Sequence, residues 1–275
     1  TRIRATIKAK KEFEEVGRKV SVHLPIPKVY EQVSNVQIHA ANPEITFIAP
    51  EDAAQRTVYF ETELQPNQEF MVEYSFDYHI NYVELDPKRV AGEQPDFCLE
   101  EQSPHIMFTP YLRELRDELA GDETNPVILA RRFYDFVTTK VMYSFVREYF
   151  TIECIPEYCA VNLKGDCGVQ ALLFITLCRM SGIPARWQSG LYATDYYTGC
   201  HDWAQFYVAP YGWVFADPSF GGSAWRAGEK ERWNYYFGNL DIFRMPANSE
   251  IQKEFMPEKK WLRIDPIDNQ RGEFE

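Results

Sequence analysis

Three residues follow one another along the chain as a thiol, an imidazole and a carboxylate, and together could support nucleophilic catalysis. Cys167 lies in the motif Gly-Asp-Cys-Gly, His201 follows 34 residues later, and Asp217 follows after 16 more. In such a set the imidazole takes the thiol proton and returns it to the leaving group, while the carboxylate orients the imidazole. Cys167 alone could equally be a buried structural thiol. The set of three predicts a nucleophile, a base and an orienting acid.

The elements around these residues could bring them together. The apolar stretch 167–181 predicts a buried helix that begins at Cys167 and ends before Pro184. Because N–H groups at a helix N-terminus stabilise a thiolate, we expect a lowered pKa for the thiol. The segments 202–209 and 212–217 predict a hairpin, in which the start of one strand lies beside the end of its partner.

Three sequence blocks resemble the core of the transglutaminase-like superfamily. They are GDCGVQALLFITLCRMSGIPAR at 165–186, CHDWAQFYV at 200–208 and GWVFADPS at 212–219. The chain is similar to bacterial members that are described as cysteine proteases. The resemblance implies a papain-like α+β fold, with Cys167 as nucleophile, His201 as base and Asp217 as orienting acid.

The resemblance also implies an oxyanion hole, which the family forms from the backbone N–H of the nucleophile and a donor upstream. In the eukaryotic crosslinking enzymes that donor is a Trp, but every Trp of this chain follows Cys167. We therefore expect another donor: Tyr143 and Tyr158 are candidates, and Asn162 is a weaker one. The Ca²⁺ loop of the animal enzymes is not recognisable, and we expect neither a metal nor a cofactor.

Aromatic residues cluster around and after the predicted acid, Asp217. We predict that this aromatic set lines one wall of a substrate groove; its members are Phe220, Trp225, Trp233, Tyr235 and Tyr236. Trp203 lies two positions after His201 and so shares its side of the strand, as a wall of the site or as part of the core. Aromatic core packing is the alternative for the whole set.

The rest of the chain predicts a second, β-rich region. Bulky and polar residues alternate over 69–83, and shorter candidate strands precede that segment. We expect an α+β protein: an antiparallel β-sandwich at 1–90, a papain-like transglutaminase core at 105–245, and a C-terminal extension at 246–275 that packs on the core. The polar segment 84–104 would link the first two parts.

Composition restricts the class of partner. The chain has 275 residues, with 29 basic against 41 acidic side chains and a net charge of −12, which argues against a nucleic-acid partner. No apolar run approaches the roughly 20 residues of a membrane span, and the N-terminus lacks the apolar region of a signal peptide. We expect a cytoplasmic location and a peptide or protein substrate. The oligomeric state is left open, as is a longer native N-terminus before Thr1.

Acyl transfer through a thioester on Cys167 is the predicted reaction. We expect hydrolysis of peptide or amide bonds, the activity of a cysteine protease or amidase. A Lys amine as acceptor would instead make the protein a protein-glutamine transglutaminase, and hydrolysis of a Gln side chain would make it a deamidase. An alternative of another class is a catalytically silent binding or scaffold module, against which the intact Cys, His and Asp set argues.

Overall fold

The computed structural model describes residues 1–263 and 267–275, and these residues form β-strands, α-helices and short 3-10 turns. The strands are β1 (Arg2–Lys8), β2 (Lys19–Pro25), β3 (Val33–Asn42), β4 (Phe47–Ile48), β5 (Thr57–Glu63), β6 (Glu69–Tyr78), β7 (Met142–Tyr143), β8 (Lys164–Gly165), β9 (Ala185–Ala193), β10 (Thr198–Val208), β11 (Gly212–Ala216), β12 (Phe237–Gly238), β13 (Arg244–Asn248) and β14 (Glu273–Phe274). The α-helices are α1 (Pro110–Ala120), α2 (Pro126–Lys140), α3 (Ile155–Asn162), α4 (Cys167–Met180), α5 (Pro218–Arg226) and α6 (Lys230–Tyr235). Short 3-10 turns lie at Lys11–Phe13, Pro87–Arg89 and Tyr149–Thr151.

One compact unit is rich in strands and consists of residues 1–80, 189–200 and 242–275. It contains two antiparallel sheets, with strand orders β1-β6-β3 and β14-β2-β5-β4. Every second residue of β6 from Phe70 to Phe76 is buried, which is the period of a strand with one face in a core. Both sheets contribute side chains to one apolar core, so this unit is a β-sandwich.

The C-terminal residues belong to this β-rich unit. We expect 246–275 to pack on the core as an extension; in the structure β13 pairs with residues 189–192 of β9, and β14 pairs with β2. The C-terminal residues therefore belong to the sandwich unit because their strands pair with strand residues of that unit. Residues 264–266 of the expected extension lie outside the described residues.

The second unit consists of residues 81–188 and 201–241, and it contains the helices. Helices α2, α3 and α5 pack against α4, which is buried from Cys167 to Arg179. Strand β10 pairs with β11 in the register Ala204 to Ala216, and β11 pairs with β12. Helices and antiparallel strands occur together in this way, which confirms the predicted α+β class.

Side chains that cap helices also prepare the site. Asp166 accepts a hydrogen bond from the Val169 N–H at 3.2 Å and so begins α4. Asp217 does the same for α5, where it accepts from the Phe220 N–H at 2.9 Å. Asp and Asn are preferred at this position because their oxygens satisfy N–H groups that have no partner within the helix. The starts of α4 and α5 are thus fixed by acidic residues.

Candidate active site

Cys167 is the first residue of α4, and only 8% of it is exposed. Its thiol donates a hydrogen bond to Asp202 Oδ2, with a distance of 3.2 Å between the two atoms. Asp202 is the neighbour of His201 on β10, and both side chains are buried. The thiol therefore has a carboxylate as its hydrogen-bond acceptor.

The pKa of the Cys167 thiol is raised well above its ordinary value, the opposite of the lowering that the helix position predicts. Burial is the largest cause, followed by the negative charges of Asp202 and Asp166. The helix N-terminus favours the thiolate, but its effect is about 0.3–1 kcal/mol in most settings. Burial and two nearby carboxylates outweigh it, so the net shift of the thiol pKa is upward.

A glycine permits this dense packing beside the nucleophile. A Cβ atom at Gly168 would collide with the Tyr149 hydroxyl and would lie 2.8 Å from Asp202 Oδ2. The same hydroxyl of Tyr149 donates to Asp166 Oδ1 at 2.5 Å. Position 168 therefore leaves no room for a side chain between the start of α4 and these polar groups.

His201 and Asp217 form a close pair. His201 Nε2 lies 2.7 Å from Asp217 Oδ2; 4% of His201 is exposed and none of Asp217. The pairing of β10 with β11 explains this, because it brings the start of one strand beside the end of the other. The sequence predicted that these two residues are neighbours, and their geometry is that of an imidazole oriented by a carboxylate.

The two oxygens of Asp217 have different partners. Oδ2 faces His201, while Oδ1 accepts from the Phe220 N–H at 2.9 Å and the Ser219 hydroxyl at 3.1 Å. The Phe220 ring lies over the imidazole, with 4.5 Å between the ring centroids. The carboxylate is thus held by the helix that it caps, and the imidazole is held between a carboxylate and an aromatic ring.

A pocket of about 460 Å³ opens beside His201. Its lining residues are Tyr143, His201, Ser219, Phe220, Ser223, Arg226 and Arg232. The predicted base and one oxyanion candidate thus border the same space, while Cys167 is not among the lining residues. A volume of this size admits a few residues of an extended peptide or a small ligand.

The three oxyanion candidates lie in two places. Tyr143 belongs to β7, which pairs in parallel with β8 directly before Cys167, in the register Tyr143 to Gly165. Partial burial and then the neighbouring Cys167 and Asp166 raise the pKa of Tyr143, so its hydroxyl is a proton donor near the sulfur. Tyr158 and Asn162 instead belong to α3, where the Asn162 amide donates to the Tyr158 carbonyl at 2.7 Å.

Of the six aromatic groove candidates, Phe220 lines the pocket and the other five have packing contacts. Trp203 is fully buried and donates to Gln188 Oε1 at 2.6 Å. Trp233 donates to Thr138 Oγ1 at 2.9 Å and packs on Trp225. The remaining two hydroxyls bond within the chain: Tyr235 to the Leu240 carbonyl at 2.7 Å, and Tyr236 to Asp241 Oδ2 at 3.0 Å.

Several polar residues of the site were absent from the sequence prediction. Asp202 is the acceptor of the thiol, Tyr149 bonds the cap of α4, and Arg226 lines the pocket. Asp202 follows the predicted base His201 in the sequence, so its place near the site could be predicted. Its contact with the Cys167 thiol could not. Arg226 is the last residue of α5, a helix that the sequence pattern does not predict, so nothing in the sequence indicated this arginine.

The described residues contain no group of three or more His, Cys, Asp or Glu side chains arranged to hold a metal ion. All six cysteines are free thiols. In the same described part of the chain, no helix has both the length and the apolar composition needed to cross a membrane.

Comparisons with known proteins give a family-model match over part of the chain and a shared fold. Residues 113–218 match the model of the transglutaminase-like superfamily. The crystal structure of a candidate cysteine protease from Cytophaga hutchinsonii is similar, with a TM-score of 0.56 and 17% identity, covering 79% of this chain and 75% of that chain. The periplasmic domain of TgpA from Pseudomonas aeruginosa has a TM-score of 0.45 and 14% identity, with 79% and 75% covered. No curated protein matches. The resemblance to the transglutaminase-like superfamily that the sequence blocks predicted is therefore confirmed over residues 113–218, which include Cys167, His201 and Asp217.

Proposed function

We propose that the protein hydrolyses peptide or amide bonds through a thioester on Cys167. The observation that carries this proposal is the His201 and Asp217 pair at 2.7 Å, whose imidazole borders a pocket in the unit that also holds Cys167 at the start of α4. A buried carboxylate stabilises an imidazolium and fixes its orientation, which is what a base beside a thiol requires.

The reaction has two halves with His201 as the proton carrier. His201 first accepts the thiol proton, and the sulfur attacks the carbonyl carbon to form a C–S bond. The C–N bond then breaks, and the imidazolium gives its proton to the leaving amine. In the second half His201 takes a proton from water and the oxygen attacks the thioester carbon. The C–S bond then breaks, the acid product leaves, and the imidazolium returns its proton to the sulfur to restore the thiol.

Asp202 has a separate role in this scheme. The thiol donates to its carboxylate, and the carboxylate charge raises the pKa of Cys167. The sulfur is therefore protonated at rest and becomes a nucleophile only when its proton moves to the base. We assign Asp202 as a positioning residue that keeps the free enzyme in the thiol form.

Tyr143 is the proposed oxyanion donor besides the Cys167 backbone N–H. It lines the pocket, and its strand is paired with the segment directly before the nucleophile. A phenol hydroxyl can donate to an oxyanion in the same way as the side-chain donors of other acyl-transfer enzymes. Loss of such a donor typically costs a factor of about 10²–10³ in rate.

The test is hydrolysis of a tryptic digest of casein, followed by mass spectrometry of new termini and of released ammonia. We expect hydrolysis by the unaltered protein, none above background in Cys167→Ala, and a rate about 10²–10⁴-fold lower in His201→Ala. Cys178→Ala is the matched control, since Cys178 is a buried thiol on the same helix and its loss should leave hydrolysis intact.

A labelled primary amine in the same digest separates hydrolysis from transfer. Incorporation of the amine without new termini would contradict hydrolysis and identify a transglutaminase. Equal hydrolysis in the unaltered protein and in Cys167→Ala would show that the thiol is not the nucleophile.

A further inference from the structure

The pocket beside His201 is basic in a protein that is strongly acidic overall. The chain carries 41 acidic residues and a net charge of −12, yet the described lining residues include two arginines and no aspartate or glutamate. A space lined in this way attracts anions, because its field differs in sign from that of most of the surface.

The Arg226 guanidinium is held in place by backbone carbonyls. Its Nη1 donates to the Gly222 carbonyl at 2.8 Å and the Thr138 carbonyl at 3.3 Å, and its Nη2 donates to the Val141 carbonyl at 2.9 Å. Carbonyls fix the position of the cation but do not neutralise its charge. Among the described residues no carboxylate forms an ion pair with Arg226.

The hydrogen bonds of Arg226 leave two of its N–H donors for a ligand. Of its five N–H donors, three bond to carbonyls, and those that remain are Nε–H and one hydrogen of Nη2. Guanidinium N–H donors bond the oxygens of a carboxylate strongly, because both groups are charged. An arginine already fixed by its surroundings also loses little conformational entropy when it binds.

The second arginine of the pocket is arranged differently. Arg232 Nη1 lies 2.7 Å from Glu229 Oε2, and both side chains are about half exposed. Its charge is balanced by that surface pair, which contributes little when solvated. Arg226 is therefore the arginine with charge available for a substrate.

We infer that Arg226 binds a carboxylate of the substrate, so that the substrate class is a peptide that presents a free carboxylate. The carboxylate is either an acidic side chain or the C-terminal carboxylate of the peptide, since both present the same two oxygens. This inference rests on the proposed function, because it places the acid in the same pocket as the base His201. Binding of the carboxylate would hold the reacting carbonyl beside that base.

The test uses three matched mixtures of N-acetylated hexapeptides. One contains Glu at a scanned position and is amidated at its C-terminus, the second replaces Glu with Gln, and the third carries Gln with a free C-terminus. We expect kcat/KM to be about 10- to 100-fold higher for whichever mixture carries the recognised carboxylate than for the Gln amide mixture. The Glu amide and the free C-terminus identify the source of the carboxylate.

Two variants assign the preference to Arg226. In Arg226→Gln and in Arg226→Lys we expect KM for the acidic mixture to rise and the preference to fall towards that of the neutral mixture. The Lys variant keeps the charge but cannot bond a carboxylate with a planar pair of N–H donors. Arg113→Gln is the control, because Arg113 is also an exposed arginine that donates to a carbonyl, and it does not line the pocket.

Binding to Cys167→Ala protein, measured by calorimetry, separates this inference from the proposed function. Hydrolysis that depends on Cys167 but proceeds at the same kcat/KM with all three mixtures would overturn the carboxylate assignment and leave the hydrolase standing. Binding of the acidic mixture that is lost in Arg226→Lys, without hydrolysis by the unaltered protein, would support the carboxylate site and contradict the hydrolase.

Discussion

Two buried polar clusters occur in this protein, one in each compact unit, and they are built on different principles. The thiol cluster consists of Cys167, Asp202, His201 and Asp217, and the sandwich cluster consists of His23, Lys259, Arg263 and Glu273. In the sandwich cluster, Glu273 accepts from Lys259 Nζ at 2.8 Å and from Arg263 Nε at 3.2 Å. Opposite charges meet there, and the Phe255 ring packs on both His23 and Arg263.

The thiol cluster pairs groups that can exchange protons rather than fixed charges. A thiol donates to Asp202, an imidazole pairs with Asp217, and the imidazole borders a pocket. Burial of polar groups is common to both clusters, so burial alone does not indicate catalysis. Groups with transferable protons beside an open volume are what the proposed hydrolysis requires, whereas a carboxylate between two buried cations is a structural arrangement.

The largest expected effect comes from Asp217→Asn in the thiol cluster. We expect kcat/KM for peptide hydrolysis to fall by a factor on the order of 10⁴, because an amide cannot stabilise the imidazolium or select its tautomer. Asn is also a good helix cap, so α5 should still form and the midpoint of thermal unfolding should change little. Kinetics and a melting curve on one preparation measure both.

A drop in activity that is matched by an equal loss of folded protein would contradict this role for Asp217. Retained activity in Asp217→Asn would show that the thiol cluster, like the sandwich cluster, has a structural role only.

Glu273→Gln should have the opposite effect: a loss of stability without a loss of activity. Removing the carboxylate leaves Lys259 and Arg263 buried without their counter-charge, since only 4% of each of these side chains is exposed. We expect the free energy of unfolding in urea to fall by about 3 kcal/mol and kcat/KM of the folded protein to stay unchanged.

Glu61→Gln is the matched control for that measurement, because Glu61 pairs with Lys19 at 2.8 Å on the exposed surface. Such a pair contributes about 0–1 kcal/mol. An equal decrease in the free energy of unfolding in the two variants would contradict the prediction that the buried ion pair contributes more than the exposed one.

Acid should weaken the sandwich unit through His23. Burial, and then the charges of Lys259 and Arg263, lower the pKa of His23 from its usual 6.5 to about 3. Between these two values the unfolded chain binds a proton that the folded chain does not, so stability is lost as the pH falls through that range. We expect a contribution of up to roughly 1.4 kcal/mol per pH unit to the free energy of unfolding.

Urea unfolding of the unaltered protein and of His23→Gln between pH 7 and pH 4 isolates that contribution. The slope against pH should be shallower in the variant, while an exposed histidine changed in the same way, His39→Gln, should leave it as it was. Identical slopes in all three proteins would argue against a buried neutral His23.

The smallest expected effect concerns the rate at which the thiol reacts. In Asp202→Asn the negative charge beside the sulfur is removed, so the pKa of Cys167 should fall and labelling by iodoacetamide at pH 7 should become several-fold faster. In the unaltered protein the rate should keep rising above the usual thiol range as the pH increases. Mass spectrometry of the Cys167 peptide measures both, with the other cysteines as internal controls; unchanged labelling in the variant would contradict the role of Asp202.

The sequence allowed some parts of this structure to be predicted because those parts follow from local patterns. The period-two run from Phe70 to Phe76 predicts a strand, although the strand ends at Tyr78 rather than at 83. The apolar stretch with a cysteine at its start predicts α4, and the hairpin predicts that His201 and Asp217 are neighbours. Each of these inferences needs only residues that are close in sequence or joined by one turn.

Other features depend on contacts between distant segments and have no local pattern. Asp202 reaches Cys167 across 35 residues, and that contact reverses the expected direction of the thiol pKa. Two of the carbonyls that hold Arg226 belong to Thr138 in the last turn of α2 and to Val141 just after that helix, 88 and 85 residues earlier. The sequence shows that these residues are present, but whether they come into contact depends on how the helices and strands pack.

The pairing of β14 with β2 has a consequence for how the chain is made. Phe274 lies opposite Val22, so the four-stranded sheet joins residues that are 252 positions apart. A ribosome delivers most of the sandwich strands first, yet that sheet lacks one edge strand until residues 273 and 274 have emerged. Contacts of such long separation are slow to form, so the region that is synthesised earliest is among the last to be completed.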